Sequence, residues 1–215
     1  QNKGLILFFQ SKYYEAVEIH KKLVAKFLKL NNQPDLYESY LNLASVYFNL
    51  EDFDEAESCI EKVLLNLKFL DSEDQESAYG VKVQILKKNS NLEEALKLAY
   101  TARNLAINNK HYYATFDYEL ADIYKELGQL DSAKYYFQSS YDLSLNIKPS
   151  DRIMAAIELA KYRFQEGFFD LAINLLMEAK ELSFKIGDYH YAIVALELLI
   201  EQKEHLNENS DLIVL

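Results

Sequence analysis

The residue types that most often carry out chemistry are sparse in this chain and are not arranged for it. Cys59 is the only cysteine, and the four histidines are scattered at positions 20, 111, 190 and 205. Neither an internal disulfide nor a cysteine-based zinc cluster can therefore form. The sequence contains no His-Glu-x-x-His helix and no glycine-rich phosphate loop. These observations predict a protein that is not an enzyme and that uses no metal and no cofactor.

Packing accounts for the reactive residues that are present. We interpret Cys59 as a small packed hydrophobe, because it has no partnered base to activate it. Local surface packing is the first interpretation of the histidines, such as His111 in His-Tyr-Tyr and His190 in Tyr-His-Tyr, and contact with a ligand is the alternative. The Glu93-Glu94 pair falls in the first turn of a predicted helix, where carboxylates offset the helix dipole.

Composition narrows the class of protein and of partner. The net charge is -11, and Gly and Pro are scarce at 5 and 2 of 215 residues, which favours an all-helical chain. An acidic chain is unsuited to direct binding of nucleic acid or of an anionic membrane surface. The single cysteine fits a reducing compartment, so we expect a cytoplasmic location. Because the chain starts at Gln1 and enters a helix-like run at once, we expect it to be a fragment of a longer protein.

An internal repeat organises the chain. A four-residue pattern that closes on alanine recurs at intervals of 40, 39, 38 and 39 residues. Twelve residues before each alanine lies another small or apolar residue. Five recurrences at so regular an interval predict five copies of one structural unit. The closing alanines are Ala16, Ala56, Ala95, Ala133 and Ala172, and the earlier residues are Gly4, Ala44, Val83, Ala121 and Ala160.

The second copy shows that the unit is a helix hairpin. Its first part is apolar at i, i+3, i+4 and i+7, which is one stripe of an α-helix. A short polar turn, Glu51-Asp52, separates this stripe from a second one. Small residues at Ala44 and Ala56 would allow the two helices to cross closely. The first stripe comprises Tyr40, Leu43, Ala44 and Tyr47, and the second comprises Ala56, Ile60 and Val63.

The motifs Leu43-Ala44-x-x-Tyr47 with Phe53-x-x-Ala56, and Leu120-Ala121-x-x-Tyr124 with Leu130-x-x-Ala133, resemble tetratricopeptide repeats. The resemblance implies an all-α fold, a right-handed α-solenoid of about five helix hairpins with a C-terminal capping helix. The expected domain covers residues 1–206, and residues 207–215 form a tail in which 212–215 could dock. The expected repeats are 1–34, 35–73, 74–111, 112–150 and 151–188, followed by a cap at 189–206.

Several positions depart from the standard repeat. The period exceeds 34 residues by about five, and we expect the extra residues to lengthen each second helix by one turn. Pro34 and Pro149 are expected in the connections between repeats, where a helix must stop. Lys82 and Lys97 occupy positions that are more often apolar or neutral, which makes the third repeat the least regular.

The resemblance also implies a binding surface. In tetratricopeptide proteins the first helices line a concave face and present outward-pointing side chains to a bound segment. The corresponding amides and mixed charges suit an extended peptide, and an ordinary solvated helix face is the alternative. The implied peptide-binding residues are Asn42, Ser45, Asn49, Gln84, Lys87, Tyr118, Asp122, Lys125, Lys161 and Gln165.

Three functions compete. The first is an interaction scaffold that binds a peptide or protein in the concave groove. The second is a signalling-peptide receptor, because the long repeats and the composition resemble the cytoplasmic quorum-sensing receptors of Gram-positive bacteria (the Rap, Rgg, NprR, PlcR and PrgX group), which regulate transcription among other outputs. The third, an enzyme, is the least favoured. Chaperone binding is disfavoured because the positions of the family's carboxylate clamp hold Glu38 and Asn42, Ser77 and Val81, and Thr115 and Glu119.

The last helix permits self-association. Its apolar residues cover more than one face, so it could form a homodimer as well as cap the final repeat. The alternative is a cap that is wholly buried in one chain. The residues that suggest a dimer are Ala192, Val194, Leu196, Leu198 and Ile200.

Overall fold

The computed structural model describes residues 2–210, with side chains described for residues 3–8 and 10–202. Over residues 2–210 the chain forms eleven α-helices, two short 3-10 helices and no strand, which confirms the all-α prediction. It divides into two compact units, residues 1–105 and 106–215. The single domain over residues 1–206 stays a prediction. Unit 1 contains α1 (Asn2–Phe9), α2 (Tyr13–Leu30), α3 (Gln33–Asn49), α4 (Phe53–Leu64), α5 (Ser72–Lys88) and α6 (Leu92–Leu105), and unit 2 contains α7 (Lys110–Glu126), α8 (Leu130–Leu143), α9 (Pro149–Gln165), α10 (Phe169–Ile186) and α11 (Tyr189–Ser210).

A left-handed residue ends the first helix of each hairpin. In the second repeat Glu51 has φ of 60°, and the amide of Asp52 donates to the carbonyl of Tyr47 over 3.0 Å. This is the Schellman arrangement, which satisfies a free carbonyl at a helix end. It reverses the chain within two residues, so that the second helix begins at Phe53 and packs back on the first. The same left-handed residue recurs five positions before each closing alanine, at Ser11, Ser90, Gly128 and Gly167.

Small residues lie where the helices of a hairpin cross. All five closing alanines have no exposed surface. Their partners in the first helices are also buried, so the backbones of each pair approach closely. Larger residues such as Ile60 and Leu176 fill the space beside the crossings and are fully buried. The periodic pattern therefore marks the helix crossings, as the sequence predicted.

The third repeat forms a regular hairpin despite its two lysines. The ammonium of Lys82 on α5 pairs with the Glu57 carboxylate on α4 and lies 3.9 Å from a Glu61 oxygen. Its side chain is only 11% exposed, so this pairing is what makes the charge tolerable there. Lys97 is exposed and needs no partner in the core. The irregular lysines are thus explained by one ion pair and by one solvent-facing position.

The expected lengthening of every second helix is wrong for the second, third and fourth repeats. Helix α4 ends at Leu64, helix α6 at Leu105 and helix α8 at Leu143, although α2 and α10 do extend over 18 residues each. The extra residues of the second repeat form a 3-10 turn, Leu67–Phe69. This turn stacks Phe69 on Tyr37 of α3, with ring centroids 5.6 Å apart and planes 13° apart. An aromatic contact replaces the additional turn of helix.

The two prolines lie inside helices and not in connections. Pro34 and Pro149 each occupy the first turn of a helix, α3 and α9 respectively. The first turn leaves backbone N–H groups without a helical partner, so a residue that lacks this group is well suited to it. The prolines therefore help to start these helices.

Helix α11 packs on the last hairpin. Ala195 is buried in a cluster with residues of α9 and α10, and Ala192 is buried as well, as expected for a cap. The helix runs to Ser210, so residues 207–210 belong to it and not to a separate tail. Residues 211–215, with the segment 212–215 that was expected to dock, lie outside the described residues.

Candidate functional site

Charged side chains of α7 and α9 form a continuous chain of ion pairs in unit 2. The Lys125 ammonium lies 2.9 Å from Asp122 Oδ1 and 3.3 Å from Glu158 Oε2. The other oxygen of Glu158 lies 2.7 Å from the ammonium of Lys161. The Glu158 side chain is 14% exposed and that of Asp122 is 20% exposed, so neither carboxylate is freely solvated. We call these four residues the α7–α9 ladder.

Aromatic rings lie beneath and beside the ladder. Tyr118 meets the ring of Phe137 edge-on, with centroids 5.4 Å apart, and the Lys125 ammonium lies 5.8 Å from the centroid of the same ring. Burial raises the pKa of Tyr118, and the charges of Asp122 and Glu158 raise it further. Its hydroxyl therefore stays protonated and can donate a hydrogen bond. This aromatic layer removes water from one side of the ladder and so strengthens its ion pairs.

The ammonium group of Lys125 stays charged. Burial alone would lower the pKa of Lys125, but hydrogen bonds to Asp122 and Glu158, together with their negative charges, raise it overall. The ladder thus offers ammonium donors and carboxylate acceptors in alternation. Donors and acceptors in alternation match the N–H and C=O groups of an extended backbone.

A cleft of about 130 Å³ opens between α1 and α3 in unit 1. Asn42 and Ser45, both implied by the resemblance, lie in its wall, and each is half-buried. The Ser45 hydroxyl donates to the carbonyl of Leu41 over 3.2 Å, which leaves its oxygen free to accept. The remaining walls are Leu5, Phe8, Val46 and His20.

His20 contradicts the interpretation of the histidines as surface residues. It has no exposed surface, and neither ring nitrogen has a hydrogen-bond partner among the described residues. Burial lowers the pKa of its imidazole, which is therefore neutral near pH 7. His111 and His190 instead pack edge-on against the neighbouring Tyr112 and Tyr191. The side chain of His205 lies outside the described residues.

The remaining peptide-binding residues that the resemblance implied lie outside both the α7–α9 ladder and the cleft wall. Asn49 is exposed, and its amide donates to the carbonyl of Ser45 over 2.8 Å. Gln84 and Lys87 are half-buried on α5 and are not part of the cleft wall. Gln165 is exposed at the end of α9, one turn beyond Lys161. The structure thus joins Tyr118, Asp122, Lys125 and Lys161 in one cluster and Asn42 and Ser45 in another.

Sequence reasoning missed Glu158 and His20. Glu158 lies two residues before Ala160, which is the repeat position that Asn42 occupies relative to Ala44. Comparison of repeats by register would therefore have found it. His20 lies four residues after Ala16, at a position where the other repeats have an apolar residue. A polar residue in an apolar register is the signal that could have found it.

The predicted role of Cys59 is confirmed. It is 5% exposed and packs in the core of unit 1. Burial raises the pKa of its thiol to about 11, so little thiolate forms near pH 7. Among residues 3–8 and 10–202, whose side chains the structure describes, no group of three or more His, Cys, Asp or Glu could hold a metal ion. In the same part of the chain, no helix has the length and apolar character that a membrane crossing requires.

Comparison with protein families identifies two of the repeats. A sequence model of the tetratricopeptide repeat family matches residues 37–65 and 118–147. These segments fall in the second and fourth repeats, whose motifs resemble the tetratricopeptide repeat most closely. No curated protein sequence is similar enough to be a relative.

Solved structures with the same fold cover most of the chain. The Rap conjugation gene regulator of plasmid pLS20, in complex with a Phr peptide, has a TM-score of 0.78 at 18% identity, over 91% of this chain and 55% of that one. A Rap protein complexed with competence and sporulation factor has the same TM-score at 17% identity, over 90% and 55%. BtubC from P. vanneervenii has a TM-score of 0.63 at 15% identity, over 91% and 92%.

These similarities define the fold. The chain spans about half the length of the two Rap proteins, and identities of this size support a shared architecture only. The architecture agrees with the prediction from the sequence motifs. The chain contains tetratricopeptide repeats within an all-α solenoid fold.

Proposed function

We propose that this chain is a binding module for extended peptide segments and acts as an interaction scaffold. The observation that carries the proposal is the α7–α9 ladder, which presents fixed, alternating charges beside the hydroxyl of Tyr118. The ladder has two cations and two carboxylates, so it is locally neutral although the whole chain is acidic. Binding is expected to depend on backbone hydrogen bonds more than on ligand charge, and direct contact with nucleic acid is not expected.

The half-buried state of the ladder supports this function. Its side chains are already held in place, so a ligand does not have to order them when it binds, which reduces the entropic cost of association. The Tyr162 hydroxyl on α9 is buried and has no hydrogen-bond partner among the described residues. Its pKa is raised by burial and by the charge of Glu158, so it remains a neutral donor. Because this hydroxyl has no exposed surface in the free protein, it is not one of the groups that contact a ligand.

Selection from a library of random heptapeptides, followed by calorimetric titration, tests the proposal. The variants Asp122→Asn and Lys161→Ala should each weaken binding of a selected peptide about tenfold or more, because a hydrogen bond to a charged group contributes about 1.5–3 kcal/mol. Asn174→Ala is the matched control, since Asn174 lies on α10 beside a different cleft. Equal affinities for all three variants would reject the ladder as the binding surface.

A second candidate is the cytoplasmic receptor domain of a bacterial quorum-sensing transcription regulator. The observation in its favour is the fold shared with two Rap proteins whose structures contain Phr peptide or competence and sporulation factor. The two candidates predict different ligands. A receptor domain should bind a free peptide of five to seven residues with micromolar affinity. A scaffold should bind an extended segment within a larger partner protein much more tightly than any free peptide of this length.

We also propose that the chain forms a homodimer through helix α11. Of the residues that suggested it, Ala192 is buried and Val194 and Leu198 pack in the core. Leu196 and Ile200 are 38% and 58% exposed, and they share a helix face with Ile193 at 55%. Light scattering of the wild type and of an Ile193→Lys/Ile200→Lys variant tests the dimer. A monomer mass for the wild type at high concentration would reject it.

A further inference from the structure

The fifth repeat has a cation where the other repeats have a large apolar side chain. Nine residues before the closing alanine, the other four repeats have Leu7, Tyr47, Leu86 and Tyr124. The first three of these side chains are buried, and Tyr124 is half-buried. The fifth repeat has Arg163, whose side chain is 29% exposed. Packing of the hairpin does not require an arginine here, because apolar side chains fill the same position elsewhere in the chain.

Two exposed apolar residues follow Arg163 at positions that are polar in the other repeats. Phe168 lies at the N-cap of α10 and is 52% exposed, and Leu171 in the first turn of α10 is 54% exposed. At the N-cap of α4 the Asp52 side chain accepts a hydrogen bond from a backbone amide, whereas Phe168 makes no such bond. A polar N-cap would stabilise the free hairpin better. The equivalents of Phe168 are Lys12, Asp52, Asn91 and Gln129, and those of Leu171 are Glu15, Glu55, Glu94 and Ser132.

The three exceptional residues lie together. The guanidinium of Arg163 lies 6.0 Å from the centroid of the Phe168 ring. Arg163 and Leu171 line the same cleft, which has a volume of about 270 Å³ and lies between α8 and α10. Leu171 also lines a second cleft at the α9–α10 turn, together with Phe168 and Phe169, and Phe169 is 40% exposed. Arg163, Phe168, Phe169 and Leu171 thus form one exposed surface, which we call the α8–α10 surface.

The guanidinium of Arg163 is only partly paired. Its Nη1 donates to Glu166 Oε2 over 2.9 Å, and its other nitrogen atoms make no hydrogen bond to a described residue. The Glu166 carboxylate is shared, because the Lys134 ammonium lies 2.5 Å from its other oxygen. An arginine with free N–H groups can bind a carboxylate through two parallel hydrogen bonds.

The carboxylates that border the two clefts are balanced by other groups. Glu178 lines the larger cleft, and its two oxygens accept hydrogen bonds from Arg152 Nε and from the Tyr141 hydroxyl, each over 2.5 Å. Asp170 lines the second cleft and lies in the first turn of α10, where the helix dipole offsets its charge. Arg163 is therefore the charged group of the surface that a ligand can pair with.

We infer that the α8–α10 surface docks a segment of a partner protein that carries an acidic side chain between large apolar side chains. The acid pairs with Arg163, and the apolar side chains contact Leu171, Phe168 and Phe169. Arginine and aromatic residues are the types that contribute most at protein interfaces. The surface shares no residue with the α7–α9 ladder, so the inference does not rest on the proposed peptide site. It gives the chain a second docking surface.

Two matched libraries of displayed dodecapeptides test the inference. A central position is Glu in one library and Gln in the other, and all other positions are random but exclude Asp and Glu. Selection on the full chain should enrich peptides from the Glu library alone, with large apolar residues on both sides of the glutamate. In fluorescence-anisotropy titrations of the enriched peptides, Arg163→Leu and Leu171→Glu should each weaken binding about tenfold or more, as the loss of a central interface contact does.

The variants introduce residues that other repeats already have, so their effects on binding and folding can be separated. Arg163→Leu and Leu171→Glu should retain the circular dichroism spectrum of the wild type. Phe168→Asp should raise the melting temperature, because it supplies a helix cap, and should still weaken binding. Glu181→Gln, at an exposed position of α10, is the control and should not change binding.

Three results would overturn the inference. The first is equal enrichment from the two libraries, or enrichment from neither. The second is an affinity for the enriched peptides that Arg163→Leu and Leu171→Glu do not change. The third is a wild-type dimer that Leu171→Glu dissociates in light scattering, which would assign the surface to a second copy of this chain.

Discussion

The first repeat, in unit 1, and the fourth repeat, in unit 2, use the same repeat position in opposite ways. In unit 2 Phe137 fills the position four residues after the closing alanine and packs with Ala121 and Leu159. In unit 1 the same position holds His20 next to Gly4, beside an open cleft. The large ring of Phe137 leaves no gap in the apolar layer beneath the α7–α9 ladder, so the charged side chains can pack on it. A small polar ring with a glycine partner leaves space and an unsatisfied hydrogen-bonding group.

The comparison separates two ways of placing polar groups. The charges of the α7–α9 ladder satisfy one another, so this surface is ordered before a ligand arrives. The imidazole of His20 has no hydrogen-bond partner among the described residues, so the cost of its burial is not offset in the free protein. The ladder should therefore contribute to stability in the free protein, whereas His20 should reduce it. Each prediction below tests this difference.

Phe137→His gives the largest expected effect, because it places the unit 1 residue in the unit 2 position. Ala121 has the Cβ that Gly4 lacks, and no described cleft borders the site, so the imidazole would be buried, unpaired and too small. Loss of a buried phenylalanine costs about 3–5 kcal/mol when it is truncated to alanine, and an unpaired polar group adds to the loss. We expect the free energy of unfolding to fall by about 3 kcal/mol or more in urea titrations followed by circular dichroism.

The control is Phe137→Leu, which keeps the position apolar. It should cost clearly less than the histidine, since only volume is lost. If Phe137→His reduced the free energy of unfolding no more than Phe137→Leu does, a buried polar residue would be tolerated at this position in both units. The contrast between the units would then disappear.

The sequence was sufficient to predict the helix hairpins. Small residues such as Ala44 and Ala56 must recur wherever two helices cross, so their period reveals the repeat without knowledge of the packing. The ends of the second helices were harder to predict. Helix α4 ends early because Phe69 stacks on Tyr37, which is 32 residues away in the chain. A contact at that separation outweighs local helix propensity and leaves no local signal.

The candidate sites were only partly predictable. The positions within the first helices predict three residues of the ladder: Asp122, Lys125 and Lys161. The fourth, Glu158, can be found in the same way, because it lies two residues before Ala160 as Asn42 lies two residues before Ala44. The way in which Lys125 bridges Asp122 and Glu158 depends on the distance between α7 and α9, which no pattern within one helix encodes. His20 is visible as an exception in its register. Its lack of a partner is a property of the packed structure.

Gly4→Ala and Gly80→Ala should change stability in opposite directions. Alanine is favoured over glycine inside a helix by about 1 kcal/mol, and a Cβ at Gly80 on α5 would meet no atom within 4 Å. At Gly4 the Cβ would collide with His20, and overpacking costs about 1–3 kcal/mol. We expect a gain of up to about 1 kcal/mol at Gly80 and a net loss of similar size at Gly4. In a chain that already carries His20→Ala, the change Gly4→Ala should no longer reduce stability. If Gly4→Ala still reduced stability in that background, the pairing of Gly4 with His20 would be contradicted.

The pH dependence of stability should distinguish His20 from the residues of the ladder. The pKa of His20 is lowered in the folded chain, whereas in the unfolded chain it is near 6.5. As the pH falls below about 6.5, the unfolded state binds a proton that the folded state resists, so stability decreases until the lowered pKa is reached. The other described residues of the cleft wall, from α1 and α3, are uncharged, and the positive charge of the N-terminus acts with burial to lower the pKa of His20. Urea titrations from about pH 7.5 to pH 5 should show a smaller decrease for His20→Leu than for the wild type. Identical pH profiles would mean that His20 binds a proton equally well in the folded and the unfolded state.

Glu158→Gln gives the smallest expected effect and tests the ladder itself. The substitution keeps the shape of the side chain and removes the charge that both Lys125 and Lys161 contact. Partly exposed ion pairs contribute about 0–1 kcal/mol, so we expect a loss of at most about 1 kcal/mol in the free energy of unfolding. Added salt should reduce this loss, because it screens the ion pairs of the wild type. The exposed Glu181 on α10 provides the control, and Glu181→Gln should have no measurable effect. If the stability lost in Glu158→Gln did not change with salt, the ladder would be held by shape and burial and not by its charges. Unit 2 would then resemble unit 1, because both would depend on packed polar groups more than on charge.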